Sequence, residues 1–183
     1  MEQMQQKLTG AYDALRDEFG YTNRHEAPTV EKVVVSVGTG KVQDKGRTQL
    51  IADRLARITG QKASPRPARQ SIASFKLRAG DIIGYQVTLR GARMRDFLDK
   101  FIHLALPQTR DFRGIRTTAI DEMGNITIGI TDHTTFPETA DEELKDVFSL
   151  SVTIVTTALS TAEAEALLRY IGLPLQKSEA VTT

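Results

Sequence analysis

The period of the apolar positions changes several times along the chain, and each change marks an element. Met4, Leu8, Tyr12, Leu15 and Phe19 recur at spacings of three and four, which predicts an amphipathic helix closed by Gly20. Pro28 precedes an apolar run from Val30 to Val37 that predicts the first strand. Leu50, Ile51, Leu55 and Ile58 predict a second helix starting near Asp44, with Gly60 at its C′ position. Pro65 and Pro67 confine the strand ahead of Ser71 to a sheet edge, because proline has no N–H to give a ladder.

Ile82 to Leu89 predicts a further strand, and between the two strands IASFKLRAGD (72–81) reads as a long basic hairpin loop. Met94, Phe97, Leu98 and Phe101 predict a third helix that stops before Pro107. Thr117–Ile120 and Asn125–Ile130 read as strands joined by the turn DEMGN, and FSLSVTIVTTA is the strongest strand after the first. Ser160 and Glu163 form a capping box that opens the last helix, which Gly172 and Pro174 end.

The order α-β-α-β-β-α-β-β-β-α predicts an α+β fold with a largely antiparallel sheet. Helices pack on one face, and the other is left open, wide enough for a macromolecule. No linker or fixed-period repeat divides the chain, so residues 1–177 read as one domain and 178–183 as a disordered tail.

Charge changes this picture more than composition does. The 24 Lys/Arg nearly balance the 23 Asp/Glu overall, yet residues 61–116 hold 12 basic against 4 acidic side chains. Residues 117–183 hold 3 basic against 11 acidic, and residues 1–60 are close to neutral with 9 against 8. Such segregation points to a polyanion partner for the middle segment; the alternative is a basic surface paired with an acidic one inside the fold. Lys62, Arg66, Arg69, Lys76, Arg78, Arg90, Arg93 and Arg95 make up the core of that segment, with Asp81 the only acid among them. Arginine predominates, which suits bidentate grip on phosphates. Phe75 stands beside Lys76 at the loop tip, either exposed to stack on a base or ribose, or folded back to plug the loop base. The acidic stretch ADEELKD, with Glu142 and Glu143, reads as a solvated loop or helix start, and the acidic C-terminal part as a whole reads as facing away from the polyanion or toward a basic protein.

Several chemistries are excluded or weakened. The absence of cysteine rules out disulfides and thiolate metal sites and fits a cytoplasmic protein. No apolar run approaches the roughly 20 residues of a membrane span, and the N-terminus lacks the pattern of a signal peptide. His25, His103 and His133 have no ligand spacing, so neither a metal nor a cofactor is expected. The strand–Gly38-x-Gly40 turn invites comparison with nucleotide-binding loops. The dinucleotide fingerprint fails at Gln43 and the phosphate-loop fingerprint at Val35 and Val42. A small nucleotide-dependent enzyme built on that turn is therefore the minor alternative, and no catalytic residue is assigned.

The motifs PTVEKVVVSVGTG, TGQK, ARQSIASFKLRAGDIIGYQVTLRGARM, RDFRG and GNITIGI occur in this order at spacings that resemble one family over Lys7 to Lys177. It is the bacterial-type, 5S rRNA-binding protein five of the large ribosomal subunit. The resemblance implies a structural role on 5S rRNA in the central protuberance, with Ser36, Gly38, Gly40, Gln61, Lys62, Thr88 and Arg90 on the RNA-facing surface. Given that role, the charge of the basic segment adds Arg66, Arg69, Arg93 and Arg95 as rRNA-contacting cations beyond those the resemblance implies. The resemblance also implies that the loop, through Ser74, Phe75, Lys76 and Arg78, reaches peptidyl-site tRNA. Further implied partners are a large-subunit rRNA helix and a small-subunit head protein at an inter-subunit bridge, with no membrane.

The chain departs from the family where Ser36 replaces the usual asparagine, leaving a family-type polar network with Gln61 and Thr88 short of one amide. ASPRP is a second departure and predicts a looser edge strand, with Arg66 adding a phosphate contact.

Overall fold

The computed structural model describes residues 2–40, 45–75, 77–110, 112–139 and 147–176. The ADEELKD stretch and the tail expected over 178–183 lie outside the described residues. The strands β1 (Val30–Gly38), β2 (Ser64–Pro67), β3 (Ile82–Leu89), β4 (Ile126–Ile130) and β5 (Leu150–Thr156) form one sheet in the order β2-β3-β1-β5-β4. Every neighbouring pair is antiparallel. β2 stands at the edge, as its two prolines require.

Side chains alternate across a pleated strand, and here the alternation sorts them into two environments. Val33, Val35, Val37, Val87, Leu89, Ile126, Ile128, Ile130, Val152 and Ile154 are buried on one face. Onto that face pack the helices: α3 (Gly91–Lys100) against β1 and α2 (Lys45–Thr59) against β3. Helix α1 (Glu2–Phe19) packs on α3 and on the C-terminal helix, Thr161–Ile171. Phe97, Phe101 and Phe136 stack at centroid separations of 5.8 to 6.4 Å and fill the core beneath.

The C-terminal helix begins and ends as its sequence dictates. Ser160 Oγ accepts the Glu163 N–H, and Glu163 Oε2 accepts the Leu159 N–H. At the far end Gly172 takes φ 101°, and the Leu173 N–H donates to the Leu168 carbonyl at 2.9 Å, a Schellman closure.

Two expectations fail. Thr117–Ile120 is not a strand, because Thr117–Ala119 forms a single 3₁₀ turn. Ile115 is drawn into a parallel bridge with Leu175, and Ile120 meets Ile126 by one bridge across the Asp121–Asn125 turn. The few residues between these two anchors cannot build a ladder. The third helix also does not stop before Pro107. It passes through a π-helical stretch, Phe101–Ala105, into a last turn, Leu106–Gln108. Pro107 lies at the front of that turn, where its missing N–H costs no regular helical bond. Among the described residues the order thus has five strands rather than six.

Glycine is indispensable to the sheet at Gly84, where an added Cβ would sit 2.7 Å from the Val37 carbonyl oxygen. Beside Gly38 and Gly40 the space is open, and neither takes a positive φ. Gly84→Ala is expected to cost about 1–3 kcal/mol of stability through overpacking. Gly38→Ala should leave the urea midpoint within error of wild type; equal losses for the two variants would contradict this assignment.

Candidate nucleic-acid interface

The face away from the helices is built by register. Ser36 is paired with Gln86 on one side and Ser151 on the other; Ser64 continues the row beyond Gln86 and Gly129 beyond Ser151. This row crosses all five strands. A second row runs Thr88, Val34, Thr153, Thr127, and a third runs Arg66, Gly84, Gly38. The surface is accordingly composed of glycines, hydroxyls, one amide and two valines, with Arg66 at the β2 edge and Lys32, paired with Val155, toward the start of β1. Small neutral side chains of this kind let a nucleic-acid backbone approach closely.

The hydrogen bonds across this face differ from those the resemblance implies. Ser36 Oγ bonds Ser151 Oγ at 2.8 Å, turning toward β5. Gln61 Nε2 donates to the Thr88 carbonyl at 3.3 Å, and Arg93 Nη1 donates to Gln61 Oε1 at 3.4 Å. Gln61, Thr88 and Arg93 are therefore linked without Ser36, whose short side chain reaches only its cross-strand neighbour.

Cations gather along the β2–β3 side. Arg66 stands on the open face, and Arg90 extends the alternation of β3 with φ −138° and ψ 162° ahead of α3. Arg69 is exposed just past β2. Two positions lie elsewhere. Lys62 lines a groove between α2 and the β2–β3 edge, beside Asp53 and Tyr85. Arg95 is two residues beyond Arg93 on α3, about 200° around the helix, and so points away from Gln61. Among the described residues no ion pair engages Lys62, Arg66, Arg69, Arg78, Arg90, Arg93 or Arg95. Internal pairing with acidic side chains of the described residues does not account for the basic segment.

The 72–81 loop carries more structure than its sequence indicates. Ala68 and Asp81 close its neck through Ala68 N–H to Asp81 O at 2.8 Å and Gly80 N–H to Ala68 O at 3.0 Å. Ile72 and Leu77 exchange backbone bonds further out, around a 3₁₀ turn at Ala73–Phe75. Ser71 Oγ accepts the Ala79 N–H at 2.9 Å, and Asp81 Oδ2 accepts the Arg78 N–H at 2.8 Å. Asp81, the lone acid of the basic stretch, is thus a turn-forming residue. Phe75 is 69% exposed at the tip and does not plug the base. Ser74 and Arg78 are exposed with it, while Lys76 lies outside the described residues.

The histidines offer no competing chemistry. His133 is fully buried, stacked on Phe148 at 4.0 Å, and its Nδ1 accepts the Phe148 N–H. It starts a 3₁₀ turn capped by Asp132, whose Oδ1 accepts the Thr134 N–H. Partial burial pushes the Asp132 carboxyl up, but the Thr134 hydroxyl and N–H, with His133 and Arg110, hold it below the usual range. His103 Nδ1 sits 2.9 Å from the Asp99 carbonyl on an exposed helix face. Among the described residues no group of three potential metal ligands converges.

Two family models match the chain: "Ribosomal protein L5" over residues 23–78, and the model for the C-terminus of the same ribosomal family over 82–175. The chain belongs to the ribosomal protein L5 family. It is similar to the large ribosomal subunit protein uL5 of Flavobacterium johnsoniae, 45% identical over 90% of this chain and 91% of that one. The uL5 protein of Rubrobacter xylanophilus is also 45% identical, over 89% and 91%, and that of Anaeromyxobacter sp. strain K is 43% identical over the same shares. The L5 family is one of structural ribosomal proteins, so this chain acts on the cytoplasmic ribosome and is not an enzyme.

Sequence reasoning selects Ser36, Gly38, Thr88, Arg66 and Arg90, and the sheet brings these to one face. It misses Gln86, Ser151, Thr153, Thr127 and Gly129, which occupy the outward positions of alternating strands. The period-two pattern marks them once the inward set is chosen, but only pairing shows that they form rows.

Asp81→Ala is expected to expose the Arg78 amide, raising its hydrogen-exchange rate at least about tenfold for the loss of one bond to a charged acceptor. The melting midpoint of the whole domain should move little. Unchanged exchange at Arg78 would show that the neck does not depend on Asp81.

Proposed function

We propose that this ribosomal protein binds 5S rRNA in the central protuberance through the open face of its sheet and reaches peptidyl-site tRNA with the 72–81 loop. One observation carries the reading: arginines without ion-pair partners among the described residues flank a face made of glycines and hydroxyls. Arg66, Arg69, Arg90 and Arg93 grip phosphates. Gly38 and Gly40, free of any internal reason to be glycine, leave room for backbone beyond the strand end. Ser36, Gln61 and Thr88 set the register of RNA on the sheet, and Lys62 and Arg95 contribute longer-range charge. At the loop, exposed Phe75 stacks on tRNA while Ser74, Lys76 and Arg78 meet its backbone.

Residues 1–177 act as one domain, a reading supported by the sheet, in which β1 from the first family match lies between β3 and β5 from the second. Contacts with a large-subunit rRNA helix and with a small-subunit head protein at an inter-subunit bridge belong to the same proposal. The acidic C-terminal third faces away from RNA or toward such a basic protein.

Titration of the protein with 5S rRNA and with tRNA of similar mass, across a salt series, checks the reading. Selective binding of 5S rRNA that weakens steeply with salt is expected. Arg66→Gln and Arg90→Gln should each lower the salt slope by about 1 without changing RNA preference. Gly38→Ala should weaken binding while the fold melts as wild type. Equal affinity for both RNAs would refute the proposal.

A further inference from the structure

The open face is not uniform, and its two halves have different chemistry. The β2–β3 half carries Arg66 and leads to Arg90. The half made by β5 and β4 carries no charged residue at all: LSVTIVT and ITIGI are neutral throughout. Its outward side chains are instead hydroxyls in contact pairs, with Val155 following them on β5 beside Lys32 of β1. Ser36 Oγ and Ser151 Oγ lie 2.8 Å apart, and Thr127 Oγ1 and Thr153 Oγ1 lie 3.0 Å apart. Ser151 and Thr153 are two residues apart on β5, so the pairs stand about 7 Å apart along the strand.

A hydroxyl has one proton and two lone pairs. When two hydroxyls bond each other, one proton is used, and the pair still offers acceptor lone pairs and one proton. The Thr127–Thr153 pair has no other hydrogen-bond partner among the described residues, and the Ser151 hydroxyl has only the Ser36 carbonyl, at 3.4 Å, as an alternative. Such a pair can both give and accept one hydrogen bond, but it cannot neutralise a phosphate. The group on RNA with matching character, donor and acceptor at once, is the ribose 2′-hydroxyl, which DNA lacks.

We infer that the Ser36–Ser151 and Thr127–Thr153 hydroxyl pairs form a ribose-reading half of the sheet face, which makes binding selective for RNA over DNA while the arginines on the other half supply charge. This rests on the proposed rRNA-binding role of the face. Ser151, Thr153 and Thr127 are then specificity-determining residues and add nothing to the electrostatic part of binding.

The test compares 5S rRNA with single-stranded DNA of the same sequence, each titrated over a salt series. The proteins are wild type, a Thr127→Val/Thr153→Val variant that removes both hydroxyls of one pair, and Thr153→Ser. Valine keeps the β-branched shape of threonine, and thermal melts check that each variant folds. The double variant is expected to lose about tenfold or more in RNA affinity, the worth of one or two hydrogen bonds. Its DNA affinity and the slope of log affinity against log salt should be unchanged. Thr153→Ser, which keeps a hydroxyl, should retain the wild-type RNA-to-DNA ratio. A double variant with the wild-type ratio, or with equal losses for RNA and DNA, would overturn the inference. Failure of the wild-type protein to bind 5S rRNA selectively would instead overturn the rRNA-binding role on which it rests.

Discussion

The register of β1 is the constraint on which the rest of the structure depends. It is the middle strand of five, paired along its length with β3 and with β5. Val33, Val35 and Val37, none more than 3% exposed, face the helices, so Val34, Ser36 and Gly38 must face outward. A slip of one residue would put Ser36 and Gly38 in the core and three valines in water. Burial of those valines therefore decides both where the helices dock and what the open face presents. The same alternation in β3, β4 and β5 extends the choice across the sheet.

The edges and the loop are held by local chemistry of a different kind. Pro65 and Pro67 remove N–H groups from β2 and fit it for an edge, where its pairing with β3 shifts register between Arg66 and Pro67. Beyond it the hairpin neck is tied by backbone bonds between Ala68 and the Gly80–Asp81 pair, and by the carboxylate of Asp81. An acid inside a basic segment looks misplaced on electrostatic grounds alone. Its hydrogen bond to Arg78 explains it: ordering the neck in advance reduces the entropy that would be lost when the tip is engaged.

Much of this is legible in the chain itself. Period-two and period-3.6 patterns locate β1, β3, β5 and the main helices because burial of one face enforces them. The capping residues and prolines mark ends for equally local reasons. What escapes is non-local. The 3₁₀ turn at Thr117–Ala119 follows from bridges to Leu175 and Ile126, distant or across a turn, and the helix crosses Pro107 because a π-helical stretch precedes it. The partner of Ser36 depends on β5 lying next to β1, although Ser151 is 115 residues away. The arginines are visible as a charge excess, but which of them share a face with the hydroxyls only the pairing reveals. Proximity in sequence groups Lys62 and Arg95 with Arg66 and Arg90, and the fold separates them.

The central claim is that RNA docks on the open face of the sheet and not on the helices. Because the chain contains no cysteine, one can be introduced at a single site and loaded with an iron chelate that cleaves nearby RNA. The direct measurement is cleavage of bound 5S rRNA from Thr131→Cys, exposed just past β4 at the rim of the sheet face, and from Asp13→Cys on the exposed side of α1. Localised strand scission is expected from position 131 and none above background from position 13. Cleavage from position 13 with none from position 131 would contradict docking on the sheet face.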